Sequence, residues 1–191
     1  SQWGYDFRPA YLKIPDFKTL LPDEPVMALT ATATAEVQAD ILDKLSMREA
    51  AVFRQTFARS NLSYSVFKTE TKETKLLRLL NSVEGSAIIY VKTRKRTSLV
   101  AGWLTKQGIR AAPYHAGLTP SERSGRQQEW IADRIRVMVA TNAFGMGIDK
   151  ANVRMVIHWD RPESLEAYYQ EAGRAGRDGL KAYAVALYDD H

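Results

Sequence analysis

The densest chemistry in the chain lies near its end, in Gln170-Glu171-Ala172-Gly173-Arg174-Ala175-Gly176-Arg177-Asp178-Gly179. A guanidinium is planar, always charged in proteins and able to donate two hydrogen bonds at once, so Arg174 and Arg177 suit a phosphate. Gln170, Arg174 and Arg177 are spaced i, i+4, i+7, which predicts one stripe of a helix. Glycine inside a helix costs about 1 kcal/mol against alanine, so Gly173 and Gly176 point to a close approach by another backbone or a ligand. The structural alternative is that both arginines pair with carboxylates such as Glu171 or Asp178 and serve only the fold.

Further polar residues follow apolar runs. Ala87 to Val91 leads into Lys92-Thr93-Arg94-Lys95-Arg96, and Ala111 to Tyr114 into His115-Ala116-Gly117. Ile135 to Ala140 opens into Thr141-Asn142-Ala143-Phe144-Gly145-Met146-Gly147-Ile148-Asp149, while Val153 to Trp159 ends in Asp160-Arg161-Pro162. In an open parallel sheet, ligands bind beyond the carboxyl ends of the strands, where loops and helix N-termini converge. Each loop alone reads as ordinary polar loop sequence. Together, four of them predict one rim of cations, hydroxyls and glycines. Lys92, Arg94, Lys95 and Arg96 oppose the dipole of a helix that starts there, and an anionic partner offsets that cost.

The elements that position these residues alternate along the chain. Strand candidates are Pro25 to Leu29, Ala51 to Phe57, Leu62 to Phe67, Ala87 to Val91, Ala111 to Tyr114, Ile135 to Ala140, Val153 to Trp159 and Tyr183 to Tyr188. Several are near-continuous apolar runs, as strands buried on both faces must be. Helices between them carry start signals: Thr119-Pro120-Ser121-Glu122 combines an N-cap hydroxyl, a proline at the first helical position and a returning carboxylate. Ser164 caps the helix through Tyr168 and Tyr169 in the same way. Alternating strands and helices predict an α/β fold with a mainly parallel sheet. Polar Ala58-Arg59-Ser60-Asn61 interrupts the pattern and reads as a linker. The stretch before it holds two strands, too few for an independent core, and the stretch after it five or six.

Composition bounds the rest. The chain has 191 residues, 45% hydrophobic and 26% charged, enough to bury a core. Lys and Arg outnumber Asp and Glu by 27 to 22, and the +5 balance favours a polyanion as partner. With no cysteine, disulfides, thiolate zinc sites and cysteine nucleophiles are all excluded. No apolar run reaches the ~20 residues that cross a bilayer, and the first residues do not resemble a signal peptide.

These residues also carry a resemblance. Gln170 to Gly179, QEAGRAGRDG, resembles motif VI of superfamily 2 helicases in its RecQ form, and Val139 to Asp149, VATNAFGMGID, resembles motif V. Ala28 to Thr34 resembles motif III, and Tyr114 to Leu118 the segment between motifs IV and V. The opening Ser1 to Pro9, SQWGYDFRP, is similar to the aromatic-rich loop that follows the DEAH box of RecQ enzymes. The matches run through the whole chain in family order.

The resemblance implies a RecA-like three-layer fold: residues 1–58 are the end of helicase lobe 1, and residues 59–191 are lobe 2. It implies a motor that hydrolyses ATP with Mg²⁺ between its lobes, pulls single-stranded or forked DNA in the 3′-to-5′ direction and acts in DNA repair and recombination. Arg177 is then the arginine finger, with Arg174 beside it and Gln170 joining the lobes across the nucleotide; both arginines face the nucleotide from the carboxyl edge of the sheet. Gly147, Asp149 and Gly173 bind or couple to the nucleotide. Arg94, His115, Thr141 and Asn142 hold the DNA, and Trp3, Phe7 and Arg8 sense it. The implied partners are the remainder of lobe 1 and a C-terminal zinc and winged-helix region. The implied location is cytoplasmic and nucleoid-associated in a bacterium, nuclear in a eukaryote.

Departures from the family pattern are equally informative. No G-x-x-x-x-G-K-S/T loop and no DEAH box occur here, so the expectation is that this polypeptide alone neither hydrolyses ATP nor unwinds DNA. The cysteine cluster of the zinc subdomain is also missing, and Lys92-Thr93-Arg94 stands where Asn-Ser-Arg is commoner. Two alternatives remain open: a non-catalytic nucleic-acid-binding module derived from a helicase lobe, and a superfamily 2 enzyme acting on RNA.

Overall fold

A computed structural model describes residues 13–30, 33–54, 56, 58–145 and 148–189. The chain divides into two compact units, Ser1–Phe57 and Ala58–His191.

In the first unit, α1 (Ile14–Leu20) carries a proline in its first turn, and α2 (Ala35–Lys44) is capped by Thr34, whose hydroxyl accepts from the Val37 N–H at 3.3 Å. No residue of α2 is buried. The strands expected at Pro25–Leu29 and Ala51–Phe57 do not form among the described residues. Among the described residues neither run joins a sheet, and Met27, Leu29 and Phe53 are 79%, 86% and 94% exposed. A strand exists only by pairing, so sequence preference alone could not make one here.

The second unit holds a six-stranded sheet in the order β1-β6-β5-β2-β4-β3. Its strands are β1 (Leu62–Lys68), β2 (Ser86–Tyr90), β3 (Ala111–Tyr114), β4 (Val137–Ala140), β5 (Val153–His158) and β6 (Ala182–Tyr188), and every pairing is parallel. All residues of β2 and β4 are buried, which is why those runs are apolar without alternation. Helices α3 (Lys72–Ser82) and α4 (Arg94–Lys106) cover one face, where Leu76, Leu80, Val100 and Leu104 pack with Ile89, Val139 and Ile157. On the other face, α5 (Pro120–Ile131), the 141–150 loop and α6 (Leu165–Ala172) bring Trp130, Phe144, Ile148 and Ala172 onto Ile88, Met138 and Val156. The result is the expected three-layer α/β architecture of the RecA-like kind.

Local signals fix where the helices start. Thr119 and Glu122 form a reciprocal capping box, with the Thr119 N–H donating to Glu122 Oε2 at 2.9 Å and the Glu122 N–H to Thr119 Oγ1 at 3.2 Å. Ser164 accepts from the Ala167 N–H at 3.1 Å and Thr93 from the Arg96 N–H at 3.2 Å. Each cap contributes about 1 kcal/mol and aims its helix away from the carboxyl edge of the sheet.

Candidate functional site

Two segments run back across one face of the sheet, side by side. The first leaves β4 at Thr141, whose N–H donates to the Tyr114 carbonyl at 3.1 Å, and returns to β5 through Gly145, Ile148 and Asp149. The second is α6 and the turns that follow it. The i, i+4, i+7 stripe expected for Gln170, Arg174 and Arg177 does not exist, because α6 ends at Ala172 with Gly173 as its cap. Gly176 has φ +61° and donates its N–H to the Val153 carbonyl at 2.8 Å, and Asp178 donates to the Ala151 carbonyl at 3.2 Å. Bonds to the segment at the amino end of β5 thus replace the helical ones. Gln170 remains on the helix, and the two arginines sit on the turns.

Arg174 and Arg177 grip the neighbouring loop. Arg174 Nη1 donates to the Gly145 carbonyl at 2.6 Å; Arg177 Nη1 donates to Asp149 Oδ1 at 2.7 Å and reaches the Ile148 carbonyl at 3.5 Å. A Cβ on Gly145 would lie 2.8 Å from Arg174 Nη2, so a larger residue here would push the guanidinium from its place against the loop. Glu171 and Asp178, the carboxylates considered as structural partners, are engaged elsewhere: Glu171 by His158 Nε2 at 2.7 Å and Asp178 by Arg154 Nη2 at 2.5 Å. Arg177 lies beside the amino end of β5, not among the loops at the carboxyl edge, because the segment has crossed the whole sheet before reaching it. Its side chain is 38% exposed and that of Asp149 is 83% exposed, so their pair contributes at most about 1 kcal/mol. Both Arg177 bonds among the described residues use Nη1. Among the described residues, no group of three or more acidic or histidine side chains could hold a metal ion.

Three features escape sequence reasoning. Tyr90 and His158, at the ends of β2 and β5, stack with ring centroids 5.4 Å apart and an interplanar angle of 20°. Burial pushes the Tyr90 hydroxyl well above the usual phenol range, against the opposing charge of Arg174. Arg59 and Asn61, which read as linker, reach into the turn after α6: Arg59 Nη1 donates to the Gly173 carbonyl at 3.0 Å and Asn61 Nδ2 to the Gly176 carbonyl at 2.7 Å. Lys150 is buried, with Nζ 2.9 Å from both the Ile131 carbonyl and Asp133 Oδ1. Their polarity alone resembles that of any loop; only their spatial partners distinguish them.

The residues expected to hold DNA meet at the carboxyl edge. Tyr114 and Ala140 are register partners, so His115 and Thr141 leave adjacent strand ends. Arg94 at the start of α4 approaches the same place: a Cβ on Gly117 would lie 2.9 Å from Arg94 Nη1 and 3.2 Å from His115 Nδ1. Arg94 and Asn142 are exposed, whereas Thr141 is buried and its hydroxyl accepts from the Ala143 N–H at 3.4 Å. The cations of α4 are partly answered from within, since Asp160 accepts from the Lys92 N–H at 2.8 Å and pairs with Arg96. Trp3, Phe7, Arg8 and Gly147 lie outside the described residues.

The profile of the helicase conserved C-terminal domain matches residues 71–179. An ATP-dependent DNA helicase RecQ of Haemophilus influenzae is 45% identical over 190 residues, covering 99% of this chain and 31% of that protein. The Bacillus subtilis RecQ is also 45% identical over 190 residues, covering 98% and 32%. The ATP-dependent helicase SGS1 of Saccharomyces cerevisiae is 44% identical over 193 residues, covering 98% and 13%. Among solved structures, Saccharomyces cerevisiae Dbp5 superposes with a TM-score of 0.76 at 26% identity, covering 97% of this chain and 49% of that one. This chain thus spans about a third of the length of its bacterial relatives. Taken with the parallel sheet and the paired segments across its face, these similarities show that the chain belongs to the RecQ family of superfamily 2 helicases and carries the family's helicase C-terminal domain.

Proposed function

We propose that residues 59–191 are the second motor lobe of an ATP-dependent 3′-to-5′ DNA helicase that acts in repair and recombination, and that residues 1–58 close the first lobe. The observation that carries this reading is the guanidinium of Arg177, partly exposed and held by Asp149 through Nη1, with no bond from its other two nitrogens among the described residues. An arginine so placed reaches a γ-phosphate presented by the other lobe and offsets charge on the transferred phosphoryl group, an effect of about 10³ to 10⁵ in rate in other NTPases. Arg174 keeps the Gly145 side of the loop in place, and Gln170 and Gly173 complete the nucleotide face. ATP bound with Mg²⁺ supplies the phosphoanhydride whose hydrolysis drives the motor.

On the DNA side, Arg94 and His115 grip the phosphate backbone, with Asn142 beside them and Thr141 shaping the loop through its turn. Trp3, Phe7 and Arg8 report DNA to the nucleotide; aromatic stacking on a base contributes about 1–3 kcal/mol without demanding a sequence. Asp149 and Gly147, which fall between β4 and β5 in the sequence, couple the nucleotide side to the DNA side. A polypeptide without phosphate loop and DEAH box provides half of this machine, so the isolated chain turns over no ATP. The missing partners are the rest of lobe 1 and a following zinc and winged-helix region.

The test uses the complete helicase. Arg177→Ala is expected to leave ATP affinity within a few-fold and to lower DNA-stimulated turnover by about 10³ or more. Wild-type turnover in that variant removes the finger assignment.

A further inference from the structure

We propose that Tyr90 and His158 are a pair of positioning residues that set Arg174 and Arg177 against the Gly145–Asp149 loop, an inference that rests on reading both arginines as nucleotide-facing groups. The two are register partners on adjacent strands, 4% and 1% exposed, with stacked rings. Each sends one polar arm to a different segment. The Tyr90 hydroxyl donates to the Phe144 carbonyl at 2.8 Å, and His158 Nε2 bonds Glu171 Oε2 at 2.7 Å. Phe144 precedes Gly145, whose carbonyl takes Arg174 Nη1 at 2.6 Å, and Glu171 stands three residues before Arg174.

These contacts close into a ring: Tyr90, Phe144, Gly145, Arg174, Glu171, His158 and back to Tyr90 through the stack. A closed ring favours one relative placement of its members, because shifting either segment breaks a bond, fully buried at Tyr90 and partly buried at His158 and Arg174. Core packing alone does not call for these residue types. An apolar ring at either position would fill the same volume without burying a hydroxyl or an imidazole. Their polar atoms serve the two segments that carry the arginines, and the rigid centre of the sheet is the reference against which both are held.

The test measures steady-state kinetics of the full-length helicase, per folded molecule and well below the thermal midpoint, with Arg177→Ala in parallel. Tyr90→Phe and His158→Phe keep the stack and each delete one bond. Each is expected to lower DNA-stimulated kcat about tenfold, the rate equivalent of one lost hydrogen bond, with KM for ATP within about twofold. His158→Gln returns a donor near the Nε2 position and is expected to recover most of the loss. The Tyr90→Phe/His158→Phe double variant is expected to lose no more than the worse single one, because a ring opens only once.

Wild-type kcat in both single variants, whatever their thermal midpoints, overturns the positioning pair while a collapsed Arg177→Ala leaves the finger standing. Fully multiplicative losses in the double variant overturn it too. Wild-type turnover in Arg177→Ala removes the underlying reading, and the pair with it. Should His158→Phe fail to fold, Tyr90→Phe decides alone on the same readout.

Discussion

The Asn61 side-chain amide donates to the Gly176 carbonyl at 2.7 Å, joining stretches of chain 115 residues apart. The same nitrogen reaches the Leu180 carbonyl at 2.9 Å, and the Asn61 carbonyl accepts from the Ala182 N–H at 2.9 Å. Arg59 adds donors to the Gly173 and Gly176 carbonyls. The turn that carries both candidate arginines is therefore stapled from the start of β1 on one side and tied to the Gly145–Asp149 loop on the other. Its precision comes from these two flanks, since no helix runs through it.

Gly176 is the position where that staple tolerates least change. Its φ is +61°, a conformation that costs a non-glycine residue about 1–2 kcal/mol. A Cβ there would lie 2.8 Å from the Ala182 Cβ and 2.9 Å from the Leu180 carbonyl, neither of which can swing aside. Gly176→Ala is expected to destabilise the protein by about 2 kcal/mol or more and to lower its thermal midpoint by about 4–8 °C. Gly179 has φ +81° and open space around its Cβ site, so Gly179→Ala pays the backbone term alone. Calorimetry on the two variants decides: an equal or larger loss at Gly179 sinks the close-packing argument.

How much of this was legible in the sequence differs from element to element. The strands at 87–91, 111–114 and 153–159 stood out because burial on both faces leaves continuous apolar runs with polar ends, and the observed strands fall within two residues of them. The capping box at Thr119 was legible because it needs only residues three apart. Pro25–Leu29 and Ala51–Phe57 have strand-like composition, yet pairing partners decide whether a strand forms and composition is silent about them. The stripe through Gln170, Arg174 and Arg177 failed for a related reason. Gly176 and Asp178 send their N–H groups to Val153 and Ala151, and no periodicity announces a bond to a distant strand end. Arg94, His115 and Thr141 were predicted at one edge from strand ends alone, and the sheet order brings them there.

The Lys150–Asp133 pair carries a pH dependence. Hydrogen bonds from Lys150 and then Ser86 hold the Asp133 carboxyl below the usual carboxylate range. Its stabilising contribution is therefore fully present above the unfolded value of about 4 and is lost as pH falls through the lower folded value. Asp133 is more than half exposed, so the contribution is modest, but Lys150 is 4% exposed and loses its counterion when Asp133 protonates. Urea midpoints between about pH 5 and pH 2.5 should fall less steeply in Asp133→Asn than in the parent. Parallel slopes would mean that the pair contributes nothing to acid sensitivity.

Arg94 offers a test of the DNA edge that does not need catalysis. A cation bound to one phosphate releases counterions, so removing it reduces the slope of log K against log salt by about 0.7 for a single strand. Arg94→Ala in the complete helicase is expected to weaken DNA binding about equally across sequences and to flatten the salt slope by that amount. Arg96→Ala is the comparison, because Arg96 is already paired with Asp160 and should change the slope less. Equal changes at the two positions would argue for a diffuse cationic surface in place of a specific contact at Arg94.

Trp130 links the core to the candidate site. Its side chain is fully buried, packs edge-on against Phe144 with centroids 5.3 Å apart and has Lys150 Nζ 5.4 Å from its ring centroid. Phe144 in turn presents the carbonyl that Tyr90 holds, so the indole supports the loop that Arg174 and Arg177 grip. Trp130→Ala leaves a large cavity beneath that loop and is expected to cost about 3–5 kcal/mol. Trp130→Phe keeps an aromatic edge for Phe144 and removes an indole N–H that has no partner among the described residues, so its cost should be well under half of that. In the complete helicase Trp130→Phe should also retain most of the ATPase per folded molecule. A drop comparable to that of Arg177→Ala would show that the loop answers to the exact volume beneath it, more tightly than its hydrogen bonds imply.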